Sequence, residues 1–574
     1  MRLVKYLVVL ACALCAFAGA SNAQTIQFLG GGSSALFLEL GQAAVNLNGG
    51  TGVACTWSSG ALSNNDIAAK DNRTSTPTLE NGKIWVIWTK GSTGTCAAPA
   101  GTGVNIYSYM SLDSVIGDRC YFEVDSSGVP GCVQVMTPTA GEASTLGNLL
   151  CFPSATTCTS FGDTAGGIPS TITAALNGQH FFVAGTDIRP EDAKFASLRM
   201  FTPCGTAIFR QPFDQGLRQT SGLGYQTATT GVGVPIQSSF STTVFHVLDF
   251  NISGNDPINT SQTVPAFTVS TVGAQPIVVA VSPAGGTGIG AATDINGFTL
   301  TLFMQGVLGR ATDLFGPTTS DPITTLIREP LSGTYNTMEF SIPNSSQFHG
   351  SQDDNNCSGA NVFANPMTLQ STNGQILAFR KRVIGTGEMV SQIKNGTSTD
   401  QRLGYFFWSA GNASFSATNG KYLTVNGIDP LQNSYSDGVF PGVDAGHPLS
   451  NVTFKWLNMG DYPVWSALRL VSKSPTPAGV TNLIAAAQTL NTTQFDFIPL
   501  SNLKVWHSHY FMPAIGSVVS ANGNTLNTAN DLCGAPGALA EFGGDAGGSN
   551  VLKQANLDFC ADFGNQNGLI NKAN

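Results

Sequence analysis

The sequence predicts an α/β protein, and three observations carry that expectation. Short apolar runs rich in β-branched residues alternate with longer stretches of helical spacing. A strand, glycine-rich turn and helix pattern opens the region after residue 24. Glycine and proline (66 and 28 residues) punctuate the chain without a collagen-like period. Residues 25–29 form the first strand candidate; Gly30-Gly31-Gly32-Ser33-Ser34 reads as the turn, and residues 35–45 as an apolar helix. Residues 50–160 show many turn residues and no long helical period, and read as a disulfide-stapled, β-rich insertion. A helix is expected over 168–177, followed by a strand over 180–184 that leads into Gly185-Thr186-Asp187. Further on, the spacing predicts strands over 276–281, 324–328, 403–408 and 464–471. Helices are expected over 298–308, 332–340 and 389–394, and from Pro477 to Leu490. Alternation of this kind favours mostly parallel sheets. The last forty residues read as a peripheral tail closed by one disulfide.

Composition removes several functional classes. Hydrophobic residues make up 42% of the 574, enough for a large core, and only 11% are charged. With 26 basic against 35 acidic residues the formal charge is −9, which disfavours a general phosphate-backbone grip on nucleic acid. Arg2 and Lys5 precede an apolar run that ends in Ser21-Asn22-Ala23, the pattern of a signal peptide cleaved after about Ala23. An exported protein, periplasmic or secreted, is therefore expected. Beyond Cys12 and Cys15 of that leader the cysteines are Cys55, Cys96, Cys120, Cys132, Cys151, Cys158, Cys204, Cys357, Cys533 and Cys560. An even number in an exported chain favours disulfides. Short spacings suggest Cys120–Cys132, Cys151–Cys158 and Cys533–Cys560, leaving Cys55–Cys96 and Cys204–Cys357. No C-x-x-C pair suited to zinc occurs beyond the leader.

The sharpest local signal is Arg328-Glu329-Pro330-Leu331-Ser332-Gly333-Thr334. A guanidinium at a strand end stands four residues before Ser-Gly-Thr at a helix start. Helix starts leave backbone N–H groups unpaired and favour negative charge, and arginine offers planar paired donors. Ser332 is expected to cap the helix, Gly333 to let a ligand approach the backbone, and Thr334 to add a hydroxyl.

This segment resembles the Arg-x-x-x-Ser-Gly-Thr loop of the periplasmic phosphate-binding proteins of ABC transporters, in the type II periplasmic-binding superfamily. Gly30–Ser34 is similar to that family's first glycine-rich turn, which points to the Ser34 hydroxyl and the Ala35 backbone N–H. Thr164-Ala165-Gly166-Gly167-Ile168 is similar to its second helix start and points to Thr164. Gly185-Thr186-Asp187, with Pro190 and Asp192 beyond, resembles the strand end that bears its ligand aspartate, here Asp187. The resemblance implies a ligand set of Ser34, Ala35, Thr164, Asp187, Arg328, Ser332, Gly333 and Thr334, with phosphate or a related oxyanion as ligand. The family's acidic residue two positions after the arginine is replaced by Pro330.

The implied fold has two lobes with a cleft between them. Lobe I spans 24–275, including the insertion, and is rejoined by 456–574; lobe II spans 276–455. The implied function is capture of the anion by a monomer, without bond breaking, for hand-over to an ABC permease in the inner membrane. A carboxylate at Asp187 can accept a hydrogen bond from protonated phosphate, whereas sulfate has no proton to give, which disfavours sulfate. A secreted surface scaffold built on the same fold is the alternative, with residues 50–160 as its interaction module. A phosphatase is a third class, for which the sequence offers no nucleophile–base pair. His507-Ser508-His509 and Asp353-Asp354-Asn355-Asn356 read as surface features, not as metal sites. The aromatic run Tyr405-Phe406-Phe407-Trp408 reads as core. No cofactor is expected.

Overall fold

The computed structural model describes residues 24–49, 53–58, 83–122, 167–188, 267–283, 288–315, 322–328, 332–342, 376–383, 385–409, 415–435, 437–473, 475–490 and 495–503, with a few short segments besides. The expected leader, the tail, Thr164, the His507–His509 pair and the 353–356 run lie wholly or largely outside them.

One large mixed sheet organises these residues. Besides three two-residue strands, it contains β1 (Thr25–Ser33), β2 (Cys55–Ser58), β3 (Lys83–Trp88), β4 (Asn105–Leu112), β5 (Val183–Thr186) and β6 (Phe267–Val281). They are joined by β7 (Ile323–Arg328), β8 (Met367–Gln370), β9 (Ile376–Val383), β10 (Gln401–Phe407), β11 (Lys421–Val425) and β12 (Trp465–Lys473). Across the sheet the order is β8-β9-β7-β10-β6-β12-β5-β1-β4-β3-β2, with β11 paired to β6 off this path. β1 runs parallel to β4 and β5, and β7 runs parallel to β9 and β10. The expectation of mostly parallel pairing fails in the middle. The long strand β6 is antiparallel to β12 along 267–276 and to β10 along 277–281. β12 is antiparallel to β5 in turn. The sequence hid this because only residues 276–281 of β6, mostly β-branched and buried, stood out.

The described part of the stretch 50–160 is β-rich, as expected, and its strands β2, β3 and β4 are members of the main sheet, with β4 directly beside β1. Their side chains alternate between two cores as the strand period requires. Trp85, Ile87, Tyr107 and Tyr109 enter one; Ile84, Val86, Trp88, Ile106 and Met110 enter the other. Helices cover both faces. On the first, α1 (Leu36–Leu47) and α7 (Ala478–Gln488) contribute Leu36, Leu40, Val480 and Leu483. On the second, α2 (Ser114–Phe122) and α3 (Ser170–Leu176) contribute Val115, Ile116, Ile172 and Leu176. α4 (Gly297–Gln305), α5 (Gly333–Ser341) and α6 (Gly385–Lys394) accompany the strands from β7 to β10.

The expected glycine turn is also relocated. β1 continues through Gly30, Gly31 and Gly32 to Ser33, so the glycines belong to the strand. Gly32 has φ +142°, and a Cβ there would overlap the carbonyl of Gly185 on β5. Gly117 of α2 lies against the same spot, where its own Cβ would stand 2.5 Å from the Cα of Gly32. Three glycines thus let a helix and two strands approach closely near their ends.

Of the expected disulfides, Cys55–Cys96 is formed, closing a separation of 41 residues between β2 and the loop after β3. The side chains of the other expected pairs lie outside the described residues. Replacing both Cys55 and Cys96 by serine is expected to lower stability by about 2–4 kcal/mol, since loop closure of this length constrains the unfolded chain. Denaturant unfolding of the variant and of the parent measures this, and equal midpoints would refute it.

Candidate functional site

In parallel α/β sheets, ligands gather where strand carboxyl ends meet following helix starts. Five strand ends converge here, four of them just before a described helix. β1 ends at Ser33 before α1, β4 at Leu112 before Asp113 and α2, and β5 at Thr186 before Asp187. β7 ends at Arg328, four residues before α5, and β9 ends at Val383, just before α6.

Asp187 is the centre of this arrangement and is 1% exposed. The Ser114 hydroxyl donates to its Oδ1, and the Ser33 hydroxyl also bonds its carboxylate. Its main-chain carbonyl accepts from the Ser466 hydroxyl, and from Arg469 Nη1 at 3.2 Å. Across from it stands Gly333, where an added Cβ would overlap the Asp187 carboxylate. Two segments almost 150 positions apart therefore touch through a glycine that leaves the room. Burial pushes Asp187 up to about 6. A backbone hydrogen bond, the Ser33 hydroxyl and the charges of Arg328 and Arg469 all pull the other way.

Arg328 is equally buried, at 1% exposed. Its Nη1 lies 3.4 Å from the Thr334 hydroxyl and 3.3 Å from that of Thr386. Its Nη2 lies 3.8 Å from Asp113 Oδ1, and its own N–H lies 3.4 Å from the Tyr405 hydroxyl. The acidic neighbour that Pro330 could not supply thus comes from the end of β4, on the other side of β6. Tyr405 is core, as expected of the aromatic run, but its hydroxyl also reaches this strand end.

The sequence-derived residues divide as follows. Asp187, Arg328, Gly333 and Thr334 meet, with Ser332 buried at the same helix start. Ser332 occupies the N-cap position without a side-chain capping bond, contrary to expectation; its carbonyl instead accepts from Asn336 Nδ2 at 2.8 Å. Ser34 lies in the turn before α1, half-buried. The Ala35 N–H donates to Ser33 Oγ at 3.2 Å, so it is Ser33, one position earlier, that joins Asp187. Thr164 lies outside the described residues, and the hydroxyl found at Asp187 from a second helix start is that of Ser114. Sequence reasoning missed Ser33, Asp113, Ser114, Thr386 and Arg469. The Asp-Ser pair after an apolar run with strand alternation was the available signal for Asp113 and Ser114.

Ser33 is held in turn by Tyr109 of β4. Tyr109 packs with Phe28 and Trp85 in a three-ring cluster, at 6.5 and 6.2 Å between ring centroids, and donates its hydroxyl to Ser33 O at 2.7 Å. Burial and the charges of Asp187 and Asp118 push Tyr109 well above its ordinary range, so it stays a donor.

Chemically, the arrangement combines two buried guanidinium groups, those of Arg328 and Arg469, several hydroxyls, the starts of α1, α2, α5 and α6, and the buried carboxylates of Asp113 and Asp187. Among the described residues no cluster of three or more His, Cys, Asp or Glu suited to a metal ion occurs, and no helix is long and apolar enough to cross a membrane.

No family model matches the chain. No curated protein matches it either. Among solved structures it is similar to a phosphate-binding protein from Stenotrophomonas maltophilia, at 14% identity and a TM-score of 0.29, covering 58% of this chain and 80% of that one. It is similar to an ABC-type phosphate transport receptor from Vibrio cholerae, at 11% identity and a TM-score of 0.25, covering 41% and 72%. It is also similar to PstS from Borrelia burgdorferi, at 15% identity and a TM-score of 0.24, again covering 41% and 72%. Likenesses at this level decide neither the ligand nor the activity of this chain, which rest on its own residues.

Proposed function

We propose that this chain is an exported solute-binding protein that captures phosphate, or a similar tetrahedral oxyanion, in a cleft between two lobes that meet on β6. The single observation that carries the reading is the buried meeting of Asp187 with Gly333 and Arg328. Three separate strand and helix ends bring a guanidinium, backbone donors and a proton-accepting carboxylate to one place. In this reading Arg328, Ser332, Gly333 and Thr334 hold the anion from one side. Asp187, with Ser33 and Ser114, holds it from the other, and Ser34, Ala35 and Thr164 are further candidates. Contacts to both sides favour the closed form, because only differential affinity shifts such an equilibrium. The loaded form would then be presented to an ABC-type permease, with no bond broken.

Isothermal titration of the purified protein with phosphate, sulfate and arsenate tests this. Heat with phosphate and arsenate but little with sulfate is expected. A folded protein that gives no heat with any of them would refute the reading and leave the scaffold alternative in front.

Two sharper expectations concern Asp187. Asp187→Asn replaces an acceptor by an amide that can also donate, so sulfate affinity should rise about tenfold or more while phosphate weakens. Unchanged selectivity would remove Asp187 from this role. The pH dependence follows with a definite sign. Asp187, raised to about 6, is ionised above that pH and accepts the ligand's proton. Below it, the protonated carboxyl donates, so sulfate becomes acceptable and discrimination should fall as pH drops through about 6. Competition titrations across this range check it; selectivity that grew on acidification would contradict it.

A further inference from the structure

Arg469 has no part in the ligand set above, yet its position is costly. It lies in β12, which is buried from Trp465 to Ser472, and it is 0% exposed itself. A charge in the middle of a central strand is costly unless nearby groups compensate it. Its register partner on β5 is Thr186, the residue before Asp187. Its Nη1 donates to Asp187 O at 3.2 Å and to Ala467 O at 2.8 Å, so the guanidinium is fixed to the main chain that carries the carboxylate.

We propose that Arg469 is the positioning residue that sets the charge on Asp187 and thereby decides which oxyanions the site accepts. This rests on the oxyanion-binding reading and adds the control of its selectivity. Among the described residues, the other charged or titratable groups near Asp187 are Arg328 from β7, Asp113 just before α2, Asp118 within α2, and Tyr109 from β4. Arg328 is the cation that would face the ligand, so its charge is shared with any bound anion. Arg469 is tied to the far, main-chain side of Asp187, where its field persists whether or not the site is filled. Its charge opposes the burial that raises Asp187. Arginine suits this task because it does not give up its proton in proteins.

The test compares the phosphate-over-sulfate affinity ratio of the full chain as a function of pH, in wild type, Arg469→Gln, Arg469→Met and Arg469→Lys. Glutamine keeps a donor for the Asp187 carbonyl and removes the charge. In Arg469→Gln the pH at which discrimination is lost should move upward, because the positive charge beside Asp187 pulls its carboxyl down against burial. At alkaline pH its phosphate affinity should stay within about threefold of wild type. Arg469→Lys should keep the wild-type midpoint. A midpoint unmoved in Arg469→Gln and Arg469→Met would overturn the proposal. So would failure of both to fold, since arginine would then serve the core. Wild type binding no oxyanion is a different failure, that of the binding reading, and would take this proposal with it.

Discussion

Arg328→Met should reduce phosphate affinity by about 100- to 1000-fold, the largest loss expected from any single side chain. The group removed is buried, charged and directed at the meeting point of β7, α5 and α6, with Thr334 and Thr386 within 3.4 Å of Nη1. Truncating one member of a buried, hydrogen-bonded charge pair costs about 2–5 kcal/mol, and each 1.4 kcal/mol is roughly a factor of ten in affinity. A second effect accompanies the first. Asp113 lies 3.8 Å from Nη2 and is itself buried, so the variant leaves that carboxylate without its guanidinium neighbour. A fall in stability of about 3 kcal/mol is therefore expected as well. Titration calorimetry and denaturant unfolding separate the two losses. Arg328→Lys restores charge without the planar fork, and should recover part of the stability but little of the affinity. A variant that binds phosphate as tightly as the parent would show that the guanidinium does not face the ligand.

How far this site was legible in the sequence depends on how each residue announces itself. Arg328 through Thr334 form one short motif whose chemistry is local, so spacing alone exposed them. Asp187 was legible only through the resemblance of Gly185-Thr186-Asp187 to a ligand-bearing strand end; a carboxylate after a short strand is otherwise an ordinary turn residue. Asp113 and Ser114 did not, because an Asp-Ser pair at a helix start is also how an ordinary helix begins, and the surrounding cysteines drew attention to disulfides. Placing them requires knowing that β4 lies beside β1, a long-range pairing that local pattern cannot supply. Ser33 was displaced by one position because Gly30–Gly32 reads as a turn from composition. Only the pairing of Gly30–Gly32 with β4 and β5 reveals that the strand continues. Arg469 left one trace, a single charge among the apolar residues Leu468, Leu470 and Val471. A lone arginine in a buried strand pattern is the signal worth pursuing, since burial of a charge must be compensated by something. The antiparallel course of β6 left none, because a strand buried on both faces reads the same in either direction.

Gly333→Ala should be nearly as damaging to binding, although it adds only a methyl group. A Cβ at this position would overlap both oxygens and the carbon of the Asp187 carboxylate. Relief by moving the carboxylate is obstructed. Its Oδ1 is bonded by Ser114, Ser33 holds it from β1, and its main chain is fixed by Ser466 and Arg469. The start of α5 must therefore draw back from Asp187, and Ser332 and Thr334 move with it. A displacement of about 1 Å in groups that position a small ligand is worth roughly a hundredfold in effect, so a loss of that order in phosphate affinity is expected. Stability should fall by only about 1–3 kcal/mol, the usual cost of overpacking. Gly387→Ala in α6 is the matched control. A Cβ there meets nothing within 4 Å, and alanine is the better helix former, so that variant should bind normally and be no less stable. Calorimetric titration of the two proteins side by side decides the matter. If Gly333→Ala binds as Gly387→Ala does, the closeness of α5 to Asp187 has no bearing on the ligand, and the anion must be held elsewhere.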